Sequence, residues 1–317
     1  MRKMAVIICI WFLCSSFGLS GESGDHRIQL ELYGGFSMIN PEDLNLRNGF
    51  EEADMKFWHE DFLAYALEKE YIQSLDIQKR GVFNKLRHSI PMGLRLKYNL
   101  SKTISLSLGL KYTTGSCSSE VRYQYTSGLQ AGTENTSIYT YSPFTVFAKG
   151  FIPMIGVHFS KILNPHLKLE AYVSGGPLFG SCQLKMGKFT QEYSTTNSDQ
   201  EYYYELEYDG KGIGYALDTG IQVRYPLLKD MDIFLEGGYA FQRIKKVSGM
   251  GKLDYDEQED IWEGDWGILE YQESGLWGSI NMLYFSNSWE GREESWIRGF
   301  NLDLSGFQIK LGITYYF

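Results

Sequence analysis

Five histidines, His26, His59, His88, His158 and His166, are the residues best suited to acid–base work in this chain. A hydrolase would set one of them beside a Ser or Asp partner. Ser89 adjoins His88, but neighbours on a strand point to opposite faces. A second group is acidic. Asp254, Asp256, Glu257, Glu259, Asp260, Glu263 and Asp265 stand close together, with Trp262, Trp266, Trp277, Trp289 and Trp296 nearby. Clustered carboxylates suit a hard cation such as calcium. The glycine and terminal glutamate of an EF-hand loop are missing, so a solvated charged hairpin is the favoured reading. Trp beside acid also suits a sugar or a protein partner. The third group is Glu31, Arg95, Lys97, Lys111, Lys168, Glu170, Asp218, Arg224, Glu236 and Lys310, which carry both signs and can pair with one another. No metal-ligand spacing, phosphate loop or nucleophile elbow is present. No catalytic residue, metal or cofactor is therefore expected.

The third group is set in strands. Phe307 to Phe317 alternates strictly, with Phe307, Ile309, Leu311, Ile313, Tyr315 and Phe317 on one face and Gln308, Lys310, Gly312, Thr314 and Tyr316 on the other. Such a period-two ribbon of about ten residues can cross a bilayer when tilted. Seven earlier segments read the same way: Ile28 to Met38, Ile90 to Leu100, Thr103 to Tyr112, Lys149 to Lys161, Leu167 to about Gly176, Gly212 to Tyr225, and Asp232 to about Arg243. The third is the cleanest, with Ile104, Leu106, Leu108, Leu110 and Tyr112 outward. The fourth is noisier, because both of its faces are partly apolar. Short connections (99–103, 160–166, 226–232) alternate with long ones (39–89, 113–148, 177–211, 244–301). Eight strands are expected. Ten are possible, because Gly267 to Tyr271 and Leu276 to Tyr284 form a further hairpin, which is placed in the last long loop outside the membrane.

The expected fold is an all-β, antiparallel, up-and-down transmembrane barrel. In hydrocarbon every backbone amide must be paired, so the sheet has to close. Tyr98, Tyr225, Tyr315 and Phe317 mark one interfacial girdle, and Tyr112 and Phe241 the other. An eight-stranded interior is only wide enough for side chains. The inward charges then form a paired plug, with a gated narrow pore as the competing reading. The first long connection should hold a helix. Asn40-Pro41-Glu42-Asp43 is an N-cap with Pro at the first helical position, and Met55, Trp58, Phe62, Tyr65 and Ala66 recur helically within Glu51 to Ser74. Lys79, Arg80, Lys85, Arg87 and His88 follow as a basic stretch.

Export is also written in the chain. Arg2 and Lys3 precede an apolar run from Met4 to Leu13, and Gly18 and Ser20 suit cleavage before Gly21. Residues 1–20 are expected to be a signal peptide and 21–317 the barrel domain. Ile8 before Cys9 and Leu13 before Cys14 do not fit a lipobox. The net charge of −9 argues against nucleic acid as a partner. Cys117 and Cys182, the cysteines after the leader, permit one disulfide.

Lys310, Gly312, Tyr315 and Phe317 match the spacing of the terminal assembly signal of bacterial outer-membrane barrels, which this end resembles. With its eight segments and alternating loops, the chain resembles the small eight-stranded outer-membrane barrels of the OmpA, OmpX and OmpW types. That resemblance implies an outer-membrane location, periplasmic short turns and external long loops. It also implies contact with membrane lipid and lipopolysaccharide, whose phosphates the basic stretch could meet, and handling by the barrel-assembly machinery. Such barrels are variously structural, adhesive, narrow channels or lipid-modifying enzymes, so fold does not settle function. A structural or surface-interaction role with a closed interior is the leading expectation. A narrow solute channel is the alternative, and a lipid-modifying hydrolase ranks third.

Overall fold

Strand pairing in the computed structural model closes a ring. The structure describes residues 27–45, 64, 67–68, 74–128, 134–164, 166–195, 198–255, 258–272, 279–285 and 297–317. In chain order the strands are β1 (Ile28–Ile39), β2 (Ser74–Gly81), β3 (His88–Asn99), β4 (Ile104–Gly128), β5 (Glu134–Asn164), β6 (Leu167–Thr195), β7 (Ser198–Leu228), β8 (Met231–Ile244), β9 (Ser248–Tyr255), β10 (Gln258–Gln272), β11 (Ser279–Phe285), β12 (Ile297–Gly299), β13 (Leu302–Asp303) and β14 (Gly306–Tyr316). Eight of them, β1, β3, β4, β5, β6, β7, β8 and β14, pair antiparallel in that order, and β14 returns to β1. The hairpin of β10 and β11 lies outside the ring.

Alternation sets what faces where. Residues such as Leu32, Leu96, Leu108, Ile155, Val173, Ile221, Leu235 and Leu311 are exposed on the outer face. Aromatic side chains stand at both margins of this belt: Tyr98, Tyr225, Tyr315 and Phe317 near the short turns, and Phe151, Phe179 and Phe241 toward the long loops. A closed ring with an apolar belt is a transmembrane barrel.

Two of the long connections expected between strands are themselves strand. β4 extends to Gly128 and β5 begins at Glu134; β6 extends to Thr195 and β7 begins at Ser198. Beyond the belt there is no lipid to demand an apolar outer face. Thr114, Ser116, Ser118, Glu120 and Arg122 take the outward positions there, and such a polar run reads as loop. At about 3.3 Å per residue the 31 residues of β5 far exceed the roughly 30 Å of hydrocarbon. The extended strands make a sheet above the ring, flanked by β2 on β4 and by β9 and β10 beyond β7.

The first long connection contains a helical turn at 42–45, with Asn45 N donating to Pro41 O at 2.9 Å. Most of the helix expected from Glu51 to Ser74 lies outside the described residues; 64, 67 and 68 are helical. Lys79 and Arg80 stand on β2, and Lys85 and Arg87 are exposed after it. His26 and His59 lie outside the described residues, as do Asp256, Glu257, Trp277, Trp289 and Trp296.

Candidate functional site

The lumen carries the chemistry, and it has two unlike halves. The inward positions near the short turns are charged and buried. Glu31 sits at the centre. Arg95 Nη1 donates to it at 2.9 Å, Lys97 Nζ lies 2.7 Å away, and Arg224 also pairs with it. Glu170 pairs with Lys97 and lies 3.0 Å from Arg224. Lys168 is at the margin, 4.0 Å from Glu170 and partly exposed. One level further in, Glu236 meets Lys310 at 2.7 Å and Arg95 at 3.3 Å, and accepts from the Tyr172 hydroxyl at 2.6 Å. Asp218 meets Lys111 at 2.5 Å and Lys310 at 3.4 Å. Arg95 joins the two levels, because it reaches both Glu31 and Glu236. All ten inward charges named from sequence are thus brought into one connected set.

The balance of that set is uneven. Five buried bases (Arg95, Lys97, Lys111, Arg224, Lys310) face four buried carboxylates (Glu31, Glu170, Asp218, Glu236). Aromatic faces answer the surplus. Arg95 lies 5.4 Å from the Tyr33 ring centroid and 5.0 Å from that of Tyr172; Lys310 lies 5.0 and 5.8 Å from the same rings. Desolvated cations gain most from such contacts. Neutral amides add further partners, though Asp218 Oδ1 and Arg224 Nε are buried without one among the described residues. Gln29 accepts from Arg224 at 2.8 Å, and Gln308 accepts from Lys111 at 3.0 Å while donating to Asp218 at 3.1 Å. Tyr33, Gln29 and Gln308 are partners that a list of inward charges does not name. Their inward parity on β1 and β14 is the signal that could have found them.

One constellation has the geometry of a catalytic triad. His158 Nε2 is 2.8 Å from Ser107 Oγ, and His158 Nδ1 is 2.7 Å from Glu170. Nucleophile, base and orienting carboxylate are within reach of one another. All three are buried in the lumen wall, however. Ser174 and the Ser107 hydroxyl crowd the neighbouring Gly156. Glu170 is also claimed by Lys97 and Arg224. The trio is a buried, hydrogen-bonded part of the charged layer.

Above the charges the lumen turns apolar. Ile152, Met154, Leu178, Ala216 and Ile244 point inward and are buried. The core continues upward through Val146, Ala148, Cys182 and Leu184 to Val121, Leu206 and Trp266. Three connecting segments lie across the ring's mouth. Leu44 comes from the helical turn, Phe83 and Leu86 from the segment before β3, and Phe300, Leu302 and Leu304 from the segment before β14. They are stitched together. Asn45 donates to Leu86 O at 2.9 Å and accepts from Leu86 N at 2.8 Å; Asp43 accepts from Asn301 N at 2.8 Å. Leu178 and Leu304 meet over the inward face of Gly150.

The acidic segment of the last long connection forms no metal site among the described residues. Its described carboxylates are spread along β9 and β10, and three of them meet lysines. Lys252 lies 3.1 Å from Glu259 and 3.8 Å from Asp254, and Lys246 lies 2.8 Å from Asp265. Hydrogen bonds from Lys246 and Ser248 hold the Asp265 carboxyl below its ordinary pKa. Cys117 and Cys182 are free thiols.

The terminal residues divide by face. Lys310 and Gly312 point into the lumen, Gly312 lying beneath the Phe234 ring. Tyr315 and Phe317 point outward with ring centroids 4.9 Å apart. Phe317 N donates to Ile28 O at 3.1 Å, so the chain end is tied into the seam between β14 and β1.

These features define a transmembrane β-barrel whose inward side chains are buried charges on one level and buried apolar groups on the next. Single-chain barrels with short turns on one side and long loops on the other belong to the bacterial outer membrane. No protein-family model matches the chain, and no characterised protein matches it in sequence. Solved structures that it resembles include the outer membrane protease OmpT from Escherichia coli, at 11% identity over 92% of this chain and 95% of that one, TM-score 0.25. The translocator domain of the autotransporter NalP from Neisseria meningitidis is 6% identical over 100% and 97%, TM-score 0.18. The transport unit of the autotransporter AIDA-I from Escherichia coli is 10% identical over 96% and 94%, TM-score 0.18.

Proposed function

We propose that this protein is an outer-membrane barrel of the small eight-stranded kind, akin to the OmpA, OmpX and OmpW types, with a structural or surface-interaction role. Its lumen is closed, and its working surface is the sheet raised above the ring. One observation carries this reading: a buried apolar core stands directly over a buried, paired charge layer, so a solute would have to breach both. The buried position of Ser107, His158 and Glu170 supports a role without catalysis. In this reading Lys310, Gly312, Tyr315 and Phe317 form the signal that the barrel-assembly machinery reads. Membrane lipid and lipopolysaccharide are the lasting surroundings.

The test is electrical. Purified protein in planar bilayers should give no steady single-channel current, whereas sustained conductance would replace the closed-barrel reading with that of a narrow channel. Incubation with labelled lipid A should leave the lipid intact, and release of a fatty acid would mark a hydrolase.

A further inference from the structure

The outer belt is not uniformly filled. A groove of about 630 Å³ crosses it obliquely from β8 to β5. Strand register explains its shape. One outward row runs Leu32, Leu94, Leu110 across β1, β3 and β4. The next runs Leu311, Gly34, Met92, Tyr112, Phe151. Gly34 is the missing tooth in that second row, since a β-carbon added there would meet nothing within 4 Å. The groove ends at Phe151, at the margin of the belt.

A separate feature begins at that end. The next outward residue on β5 is Lys149, which is exposed. It pairs in register with Ser181 on β6, and Ser181 with Lys211 on β7, also exposed. Two neighbouring strand spacings set these lysines about 10 Å apart, with a hydroxyl between them. Directly beneath stand Phe151, Phe179 and Ile213, all exposed. The row further out, Phe147, Gln183 and Asp209, carries no base. In a chain of net charge −9 the lysine pair is a local inversion of sign.

The geometry points to a seat for one phosphate-bearing acyl lipid of the leaflet on the long-loop side. An acyl chain lies in the groove over Gly34, and its phosphate sits between Lys149 and Lys211 above Ser181. An apolar channel of this size running to a pair of cations suits a molecule with a chain and an anionic head. Free phosphate would use only the lysines and leave the groove without purpose. This seat rests on the membrane placement argued above.

Native mass spectrometry of the detergent-purified barrel, titrated with monophosphoryl lipid A and with its dephosphorylated form, tests the seat. The wild type should hold the phosphorylated probe about tenfold more tightly. The variant Lys149→Ala/Lys211→Ala should lose about that factor and treat both probes alike. Gly34→Leu fills the groove from an outward position with open space and should weaken both probes. Gly237→Leu is equally open and outward but outside the groove, and should bind as wild type does. Heat-modifiable gel mobility verifies that each variant is folded. Unchanged binding in either the lysine or the Gly34 variant would overturn the seat, as would displacement of the probe by equimolar inorganic phosphate. Failure of the wild type to insert into lipid vesicles would strike the membrane placement instead.

Discussion

Removing Glu236 should cost the barrel far more than one hydrogen bond. Glu236 accepts from Lys310 at 2.7 Å, from Tyr172 at 2.6 Å and from Arg95 at 3.3 Å. In Glu236→Ala, Arg95 keeps Glu31, but Lys310 is left with Asp218, 3.4 Å away and already engaged by Lys111 at 2.5 Å. Five buried bases would then face three carboxylates, and a cation stripped of its partner in such surroundings costs about 3–5 kcal/mol. Removing Lys310 as well restores the earlier margin of one. Glu236→Ala/Lys310→Met should therefore recover about 1–3 kcal/mol relative to the single variant. The assay is urea unfolding in lipid vesicles, followed by tryptophan fluorescence and by heat-modifiable gel mobility. The midpoint should fall while the slope is kept. A single variant within about 1 kcal/mol of wild type, or a double variant less stable than the single, would refute the idea of one shared charge layer.

Three further outcomes are expected. Leu108 is 60% exposed at mid-belt between Leu96 and Ile155, so Leu108→Arg should destabilise the barrel in lipid by about 2–4 kcal/mol, and an unmoved urea midpoint would refute its placement. Deleting Phe317 should lower the heat-modifiable protein recovered from outer membranes, and wild-type recovery would count against the terminal signal. Burial pushes the thiols of Cys117 and Cys182 up from their ordinary pKa, so thiolate is scarce at pH 8 and alkylation should quicken as pH rises. Cys182 should react in step with unfolding. Prompt labelling of Cys182 in the folded barrel, or a mass showing a disulfide across the intervening β5, would contradict the packing.

The ring was legible because lipid and lumen impose opposite demands on alternate residues. From Ile104 to Tyr112 that contrast is complete, and both strand and facing follow from it. It fades where the lipid ends. Ser116, Ser118 and Glu120 face water, so the upper half of β4 carries no outward apolar signal and reads as loop. On β5 the contrast fails for the opposite reason. Ile152 and Met154 turn inward to an apolar core while Phe151 and Ile155 turn outward to lipid. The double apolarity that made this segment noisy was the trace of the upper plug. Segments across the mouth, such as Phe300 to Leu304, have no period at all, and only their contacts reveal what they close. The inward charges could be enumerated from parity, whereas their partners depend on how strand tilt carries one level past another.

An alternating belt distinguishes odd from even positions and nothing finer. If β14 slid two residues along β8, every apolar side chain would still meet lipid. The inward aromatics remove that ambiguity. Phe234 stands opposite Gly312, Tyr33 opposite Gly93 and Tyr172 opposite Gly220. Each ring or hydroxyl occupies the space a β-carbon would need on its glycine. Displaced by two, Phe234 would face Thr314 or Lys310, where that space is taken. These pairs work like the wards of a lock, admitting one alignment among several that the bilayer would accept equally.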